Sequence, residues 1–467
     1  MTTTFVIEAN IGEWRTALLD AEDIPVEVTY IGDTHLDLTD MVATAKVTKV
    51  DGPNDMAFLT LPNGEVAAIN YRRAQALATK DRKDLKTISD CVTEGQYVTV
   101  QVIGMPNSTE NKAIALTAKP KLVGRYIVLE EGKPRLNFSN DIKPHGVGAL
   151  RAAIESLAVD CSIIVRSKAG DVPVKAVVEE ITWLSKAFVK TAIKPTVHFQ
   201  ASNVERALLN APDGDGPIII EDVNTLLDAK KLAQSRWPDL LPRLTQWQST
   251  ESMMEHYGVN DAIEEATSER INLPSGGWIS LHETPALTAI DVNMGRALKN
   301  KSAADARHIT NLEAALASLF HIRFQNIGGL IVIDFIDNNS KGSVAALMKL
   351  IDTVIKDDPV PIQHTGLSAF GLLQFNRKRR GRSLRDHLLT TPAPREKART
   401  AALRLLRLAK TQGLKPEPGI LCLQAPAKVI KWLETHKNLL EAVKISTARE
   451  ILCVENTTLS CYIKKNI

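Results

Sequence analysis

Cysteine is scarce in this chain. There are five, at positions 91, 161, 422, 453 and 461, and no two form a CxxC pair. An odd, scattered set fits neither a disulfide framework nor a zinc site at motif spacing, and a reduced cytoplasm is the expected setting. The start, MTTTFVIEANIGEW, lacks the basic residues and apolar core of a signal peptide. No apolar run approaches the ~20 residues that span a bilayer, so no membrane partner is expected. Strong charge of one sign is also missing. The formal net charge is +3, so contact with a polyanion must come from local basic clusters. There are no internal repeats and no long low-complexity tracts.

What is present is ample core material: 44% hydrophobic and 24% charged residues in 467, enough for about three domains. Residues 3–7 and 26–30 read as short strands with a helical stretch between them. From 43 to 118 five short runs alternate or are β-branched (43–50, 56–61, 66–70, 97–103, 113–118). GPND, PNG and PNS mark turns between them. Five short strands suit a small OB-type barrel or another small β-meander. The next hundred residues mix strands (126–129, 161–165, 196–200, 217–220) with helices (148–158, 176–190), and 225–270 is helical or connecting. Residues 277–281 and 286–292 read as a strand pair, 303–325 as a long helix, 329–336 as a central buried strand, 342–357 as a helix and 360–364 as a strand. That order argues for a covered sheet with some parallel pairing. Residues 377–395 look like a linker, basic and then Pro-rich. A last unit reads helix, strand, helix and two strands.

Two acids stand out. In TAIDVN, Asp291 and Asn293 share one strand face while Ile290 and Val292 point the other way. Asp334 ends the apolar run LIVID. A carboxylate there is costly unless paired or metal-bound, and ligands gather at strand carboxyl ends in such sheets. Two carboxylates and an amide suit a hard dication such as Mg²⁺. The plainer reading is that each Asp caps a following turn or helix. Asp337 falls on the opposite face if the strand continues, as a cap or outer support. The run Arg377-Lys378-Arg379-Arg380-Gly381-Arg382 holds five positive charges in six residues. It could meet a phosphate backbone or be a solvated linker face. Phe58 could stack on a base or serve the barrel core, and Lys112 could touch phosphate or do nothing specific.

Several words then occur in one order: LPSGGWISLHETPALTAIDVNMGRA at 273–297, TNLEAA at 310–315, GGLIVIDFID at 328–337 and LSAFGLLQFNRKR at 367–379. Together they resemble the RNase E/G family, with a weaker match over nearly the whole chain. The resemblance implies a multidomain α/β fold. An RNase H-like unit (1–39 and 120–225) would carry an inserted OB-fold RNA-binding barrel (40–119). A connecting region (226–271) would lead to a DNase I-like catalytic domain (272–385), a linker (386–400) and a small α+β C-terminal domain (401–467).

The resemblance also implies roles. Asp291 and Asp334 match the metal-binding aspartates and Asn293 the amide that supports them. Arg166 and Ser167 match the Arg-Thr pocket that recognises a 5′-monophosphate, with Val128 lining it. Phe58 and Lys112 match RNA-contacting positions of the barrel. The implied activity is Mg²⁺- or Mn²⁺-dependent hydrolysis of single-stranded, A/U-rich RNA, leaving a 5′-phosphate and a 3′-hydroxyl.

There are departures. The family's CPxC zinc motif has no counterpart in HLLTTPAPRE. Zinc is not expected, and any homo-oligomer would form without a zinc link. Ser167 replaces Thr and keeps the hydroxyl. Pro361 stands where another sensor arginine belongs, and the second barrel aromatic is replaced near Val66, so phosphate sensing and base stacking are expected to be weaker. The long scaffold tail of the larger members is missing, as in the short G-type members. The rival readings are a non-catalytic RNA-binding regulator that keeps the fold, and a hydrolase of other phosphodiesters.

Overall fold

The computed structural model describes residues 3–32, 37–79, 82–105, 113–142, 144–188, 193–284, 286–295, 302–337, 340–378, 381–390 and 395–465. The chain forms two compact units: Met1–Tyr30, Ser108–Glu110 and Gln248–Ile467 in one, Ile31–Asn107 and Asn111–Trp247 in the other. No helix among the described residues is long and apolar enough to cross a membrane.

In the second of these units a β-barrel closes. Its strands are Val42–Asp51, Met56–Thr60, Val66–Asn70, Tyr97–Gly104 and Ile114–Thr117, each within one residue of the run expected from the sequence. Val42–Asp51 pairs with both Met56–Thr60 and Tyr97–Gly104, which closes the ring. Val66–Asn70 and Ile114–Thr117 pair in parallel. Ala43, Ala45, Val47, Leu59, Val100 and Leu116 fill the inside. Alanines on the long strand fit because a small barrel has little room at its axis. The barrel is OB-like.

A second sheet of this unit runs Arg135–Phe138, Ser162–Val165, Ile127–Glu130, Lys121–Val123 in spatial order. Its first and last strands, of four and three residues, escaped the sequence reading. The turn before Ile127 rests on Glu180, a fully buried acid of the helix Val174–Ser185. The Glu180 carboxylate accepts from the backbone N–H of Arg125 (2.7 Å), Tyr126 (2.8 Å) and Ile127 (3.0 Å) and from Trp237 Nε1 (2.7 Å). Burial pushes its carboxyl up against the pull of these donors. Gly124 is required there, since a Cβ would lie 2.6 Å from Glu180 Cδ.

The other unit begins with a hairpin, Thr4–Asn10 against Glu13–Leu19. The helical stretch expected after residue 7 is therefore a strand. The signal overlooked was Gly12, whose φ of +84° makes the turn. Beside it Glu13 is buried, with Arg407 Nη1 at 2.6 Å, His387 at 3.6 Å and Arg399 at 3.7 Å. Burial raises its carboxyl, but the His387 hydrogen bond and the arginine charges outweigh that and hold it at about 2.

A six-stranded sheet dominates this unit, in the order Ile271–Asn272, Trp278–Glu283, Thr288–Asn293, Gly329–Asp334, Leu372–Arg377, Ile362–Leu367. Thr288–Asn293 and Gly329–Asp334 pair in parallel, and the helix Ala303–Phe324 makes the crossover. The expected parallel pairing is present. One sheet face is dry: Ile279, Leu281, Ile290, Ile331, Ile333 and Phe375 pack with the Ala303–Phe324 and Lys341–Val354 helices. The other face is open, which corrects the reading of 329–336 as a strand buried on both sides. Leu330 is 41% exposed, and Asp334 is exposed too.

The linker reading of 377–395 also needs correction. Leu384–Leu388 is a short helix whose Leu384 and Leu388 are buried; residues 391–394 lie outside the described set. Beyond it, the helix Ala398–Gly413 covers a three-stranded sheet ordered Ile451–Glu455, Ile420–Ala425, Ser460–Lys464. All five cysteines are free.

Two measurements test this packing. Glu180→Gln leaves N–H donors facing an amide, and about 3 kcal/mol or more of stability should be lost; an unchanged urea midpoint would refute the anchor. His321, buried on the crossover helix, is pushed down to about 4 by burial. The unfolded imidazole binds a proton below ~6.5 and the folded one only near 4, so stability falls as pH drops through that window. At pH 5 the loss is about 2 kcal/mol relative to pH 7. His321→Gln should lack that portion of the slope, and a slope identical to the parent's would count against it.

Candidate active site

The open face of the six-stranded sheet is built by strand alternation. Thr288, Ile290 and Val292 are buried, so Ala289, Asp291 and Asn293 face the other way. On the parallel neighbour, Ile331 and Ile333 are buried and Asp334 faces out. The register sets Asp291 directly beside Asp334. Adjacent strands lie about 4.8 Å apart, so both carboxylates can reach one cation. Ser280 stands opposite Asp291 on one flank and Leu372 opposite Asp334 on the other.

Asn293 Nδ2 donates to Asp291 Oδ2 at 2.6 Å. The structure thus brings together the three residues singled out in the sequence. Among the described residues, neither Asp291 nor Asp334 is the N-cap of a following helix. The crossover helix is capped by Ser302, whose side chain accepts from Asp305 N. The next helix starts after Ser340. Asp337 is exposed in the loop after the strand.

Like charges directly opposite on a sheet destabilise it by roughly 0.2–1 kcal/mol, and a dication between them reverses the sign. Oxygen donors from two carboxylates fit a hard ion that keeps most of its waters. Among the described residues no group of three or more His, Cys, Asp or Glu side chains could hold a metal ion.

Close backbone crossings hold the row in place. A Cβ on Gly277 would lie 2.7 Å from Asn293 O, and one on Gly295 would lie 1.7 Å from Gly276 O. Only glycine permits this approach, which gives a physical reason for Gly277 and Gly295 in the word at 273–297. A second word, TNLEAA, supplies Asn311, which the sequence reading quoted without a role. Buried Asn311 donates Nδ2–H to Ile336 O (2.7 Å) and accepts from Ile336 N (3.0 Å), pinning the chain two residues beyond Asp334. Past that point lies a cavity of about 470 Å³, with His308, Asp337, Lys341, Ser343 and Ser368 on its walls.

A second residue missed was Trp278. It stands opposite Asn293 on the open face, and the Arg270 guanidinium lies 4.0 Å from its ring centre. A lone Trp carries no sequence signal until the register is known.

The other unit carries the remaining candidates. Val128 lies opposite Ile164 and Val123. Arg166 and Ser167 follow the end of Ser162–Val165 and are exposed. Arg166 Nη1 donates to Gly124 O at 2.8 Å, in the turn that Glu180 anchors. Lys168 Nζ lies 2.8 Å from Asp213 and 3.1 Å from Asp239, and Asp239 also pairs with Arg125 at 2.7 Å. On the barrel, Phe58 is half-buried on the outer side, opposite Lys49 and Ala68. Val66 is exposed, and so is Tyr97, which stands opposite Lys46. Lys112 lies outside the described residues, as do Arg379 and Arg380. Arg377 is not a free phosphate contact. It is buried and paired with Asp358 through Nε–Oδ2 (2.9 Å) and Nη2–Oδ1 (3.1 Å).

One unit carries paired acids at adjoining strand ends, and the other carries a closed OB-like barrel. Comparison with known proteins identifies the family. The model of the Ribonuclease E/G family matches residues 121–380, more than half of the chain, and the chain belongs to this family. Ribonuclease E of Haemophilus influenzae is 29% identical over 460 residues, covering 91% of this chain and 47% of the relative. Ribonuclease E of Escherichia coli is 28% identical over 454 residues, covering 91% and 42%. Ribonuclease G of Escherichia coli is 24% identical over 410 residues, covering 84% and 83%. The chain thus spans about half the length of these ribonuclease E relatives and most of the length of ribonuclease G.

Asn311→Ala frees the Ile336 peptide and should lower stability by about 2 kcal/mol. It should also slow any reaction that depends on Asp334. Unfolding midpoints and turnover measured together test this, and a normal value of both would show that the peptide is held by something else.

Proposed function

We propose that this protein is a metal-dependent endoribonuclease that hydrolyses single-stranded, A/U-rich RNA in RNA processing or decay, in a cytoplasmic setting. The observation that carries the reading is the side-by-side register of Asp291 and Asp334 in a chain of the Ribonuclease E/G family. The proposed division follows the resemblance: an RNase H-like unit with an inserted OB-fold barrel, a DNase I-like catalytic domain, and a small C-terminal domain. Phe58, with Lys112, would contact RNA on the barrel. Arg166, Ser167 and Val128 would receive a 5′-monophosphate.

Asp291 and Asp334 would hold Mg²⁺ (or Mn²⁺) between them. The ion would lower the pKa of water and neutralise charge building on the phosphate. Asn293 keeps Asp291 in a fixed rotamer through its hydrogen bond, so the donor pair is set before substrate arrives. Water then adds to phosphorus as the bond to the 3′-oxygen breaks. That oxygen leaves as a 3′-hydroxyl, and the phosphate stays on the 5′ end of the downstream piece. Asp334 and Asp291 would not need to move a proton themselves; their part would be to hold the ion.

The test is cleavage of a 5′-monophosphorylated, A/U-rich oligoribonucleotide with Mg²⁺, with chelator, and with Asp334→Asn or Asp291→Asn. Each substitution should cut kcat/KM by about 10³-fold or more, which at 1.36 kcal/mol per decade is a loss of several kcal/mol of transition-state stabilisation. Cleavage that survives either substitution sinks the site. RNA binding without any cleavage by the unsubstituted chain would instead identify a non-catalytic RNA-binding regulator. Equal cutting of single-stranded DNA of the same sequence would point to a broader phosphodiesterase.

A further inference from the structure

On the open face of the six-stranded sheet, Trp278 is an anomaly. A large aromatic side chain pointing away from a dry core usually finds a core of its own. Trp278 is only half-buried, and the contact recorded on its ring is the Arg270 guanidinium at 4.0 Å. Arg270 is itself exposed and steadied by Asn272, which accepts from its Nε at 3.0 Å. The stack is therefore a flat, positively charged plate presented to solvent.

Its place gives it meaning. Trp278 stands directly opposite Asn293, and Asn293 bonds Asp291. Trp278 lies two positions along its strand from the Ser280–Asp291–Asp334 row, about 7 Å along the sheet. A nucleotide with its phosphate at the acidic row can reach the plate with its own base or a neighbour's. Guanidinium planes and indoles are the surfaces on which unstacked bases lie, and the positive charge also attracts the RNA backbone.

Resting on the nuclease reading above, we infer that the Arg270–Trp278 stack is a nucleobase platform seating the nucleotide that flanks the scissile phosphate. The base lies on the outer face of the guanidinium, with the indole behind it. Stacking of this kind tolerates any base, so the platform adds affinity and position and leaves sequence preference to other contacts. A purely structural role would be to pin the short strand Ile271–Asn272 against Trp278–Glu283. That role affects folding and leaves RNA affinity alone.

The experiment uses the full chain carrying Asp334→Asn, so that RNA is bound without turnover. The probe is a fluorescent A/U-rich single strand of about ten nucleotides, within the span such surfaces cover, and Kd is read by anisotropy. Trp278→Ala should raise Kd by about 5- to 150-fold. Trp278→Phe, which keeps a ring, should recover most of the affinity, and Arg270→Ala should fall between. A single abasic site is then walked along the RNA. At the position flanking the cleavage point it should weaken binding to the parent and add nothing to Trp278→Ala.

The platform is overturned if folded Trp278→Ala, Trp278→Phe and Arg270→Ala all bind as the parent does, or if the abasic penalty is equal at every position in both backgrounds. Should Trp278→Ala fail to fold, Arg270→Ala and the abasic walk on the parent decide. Metal-dependent cutting by the unsubstituted chain together with either overturning result removes the platform and leaves the nuclease standing. RNA neither bound nor cut by the unsubstituted chain removes both.

Discussion

The parallel register between Thr288–Asn293 and Gly329–Asp334 is the constraint on which the candidate site depends. Because side chains alternate, a slip of one residue would send Asp334 into the dry face and Ile333 into solvent. The apolar faces forbid that slip: Ile290, Ile331 and Ile333 are buried under the two helices, and exposing one such side chain costs about 2 kcal/mol. The acids owe their alignment to their hydrophobic neighbours. Repulsion between the carboxylates is small beside the burial that holds them together, so the fold can carry an unfavourable pair at its surface.

Around that pair the structure limits motion with backbone contacts. Gly277 and Gly295 let two segments cross at distances no side chain allows, and Asn311 holds the Ile336 peptide from the crossover helix. The same device recurs in the other unit. Glu180 gathers three successive backbone N–H groups and an indole N–H beneath the turn that presents Gly124 O to Arg166. In both places a buried polar side chain, fully bonded, sets the position of an exposed one.

Much of this was legible in the sequence, and the failures have physical reasons. The barrel strands were visible because alternation and turn residues are local signals. Asp291 and Asn293 were legible as one-faced for the same reason. Their alignment with Asp334 was not, since register between strands 43 residues apart depends on packing that no window contains. LIVID was read as doubly buried because both faces are apolar, yet Leu330 looks out. The basic run after residue 376 reads as one exposed cluster, meeting phosphate or solvent, although its first member is buried against Asp358. Leu384–Leu388 was hidden inside a polar stretch whose two leucines alone face inward. Trp278 and Asn311 acquired roles only when their neighbours were known.

The turn at Gly12 has a consequence for how the protein comes into being. Its next residue, Glu13, is a buried acid whose partner Arg407 lies 394 positions away. During synthesis the hairpin emerges early, while the cations that neutralise its tip do not yet exist. At roughly 5–20 residues per second, the interval lasts about 20–80 seconds. Throughout that time the hairpin must leave Glu13 hydrated, with its docking surface unfilled. The hairpin is thus made long before it can reach its final packing, and a chain that stalls before the helix Ala398–Gly413 is complete exposes that surface to whatever else is nearby.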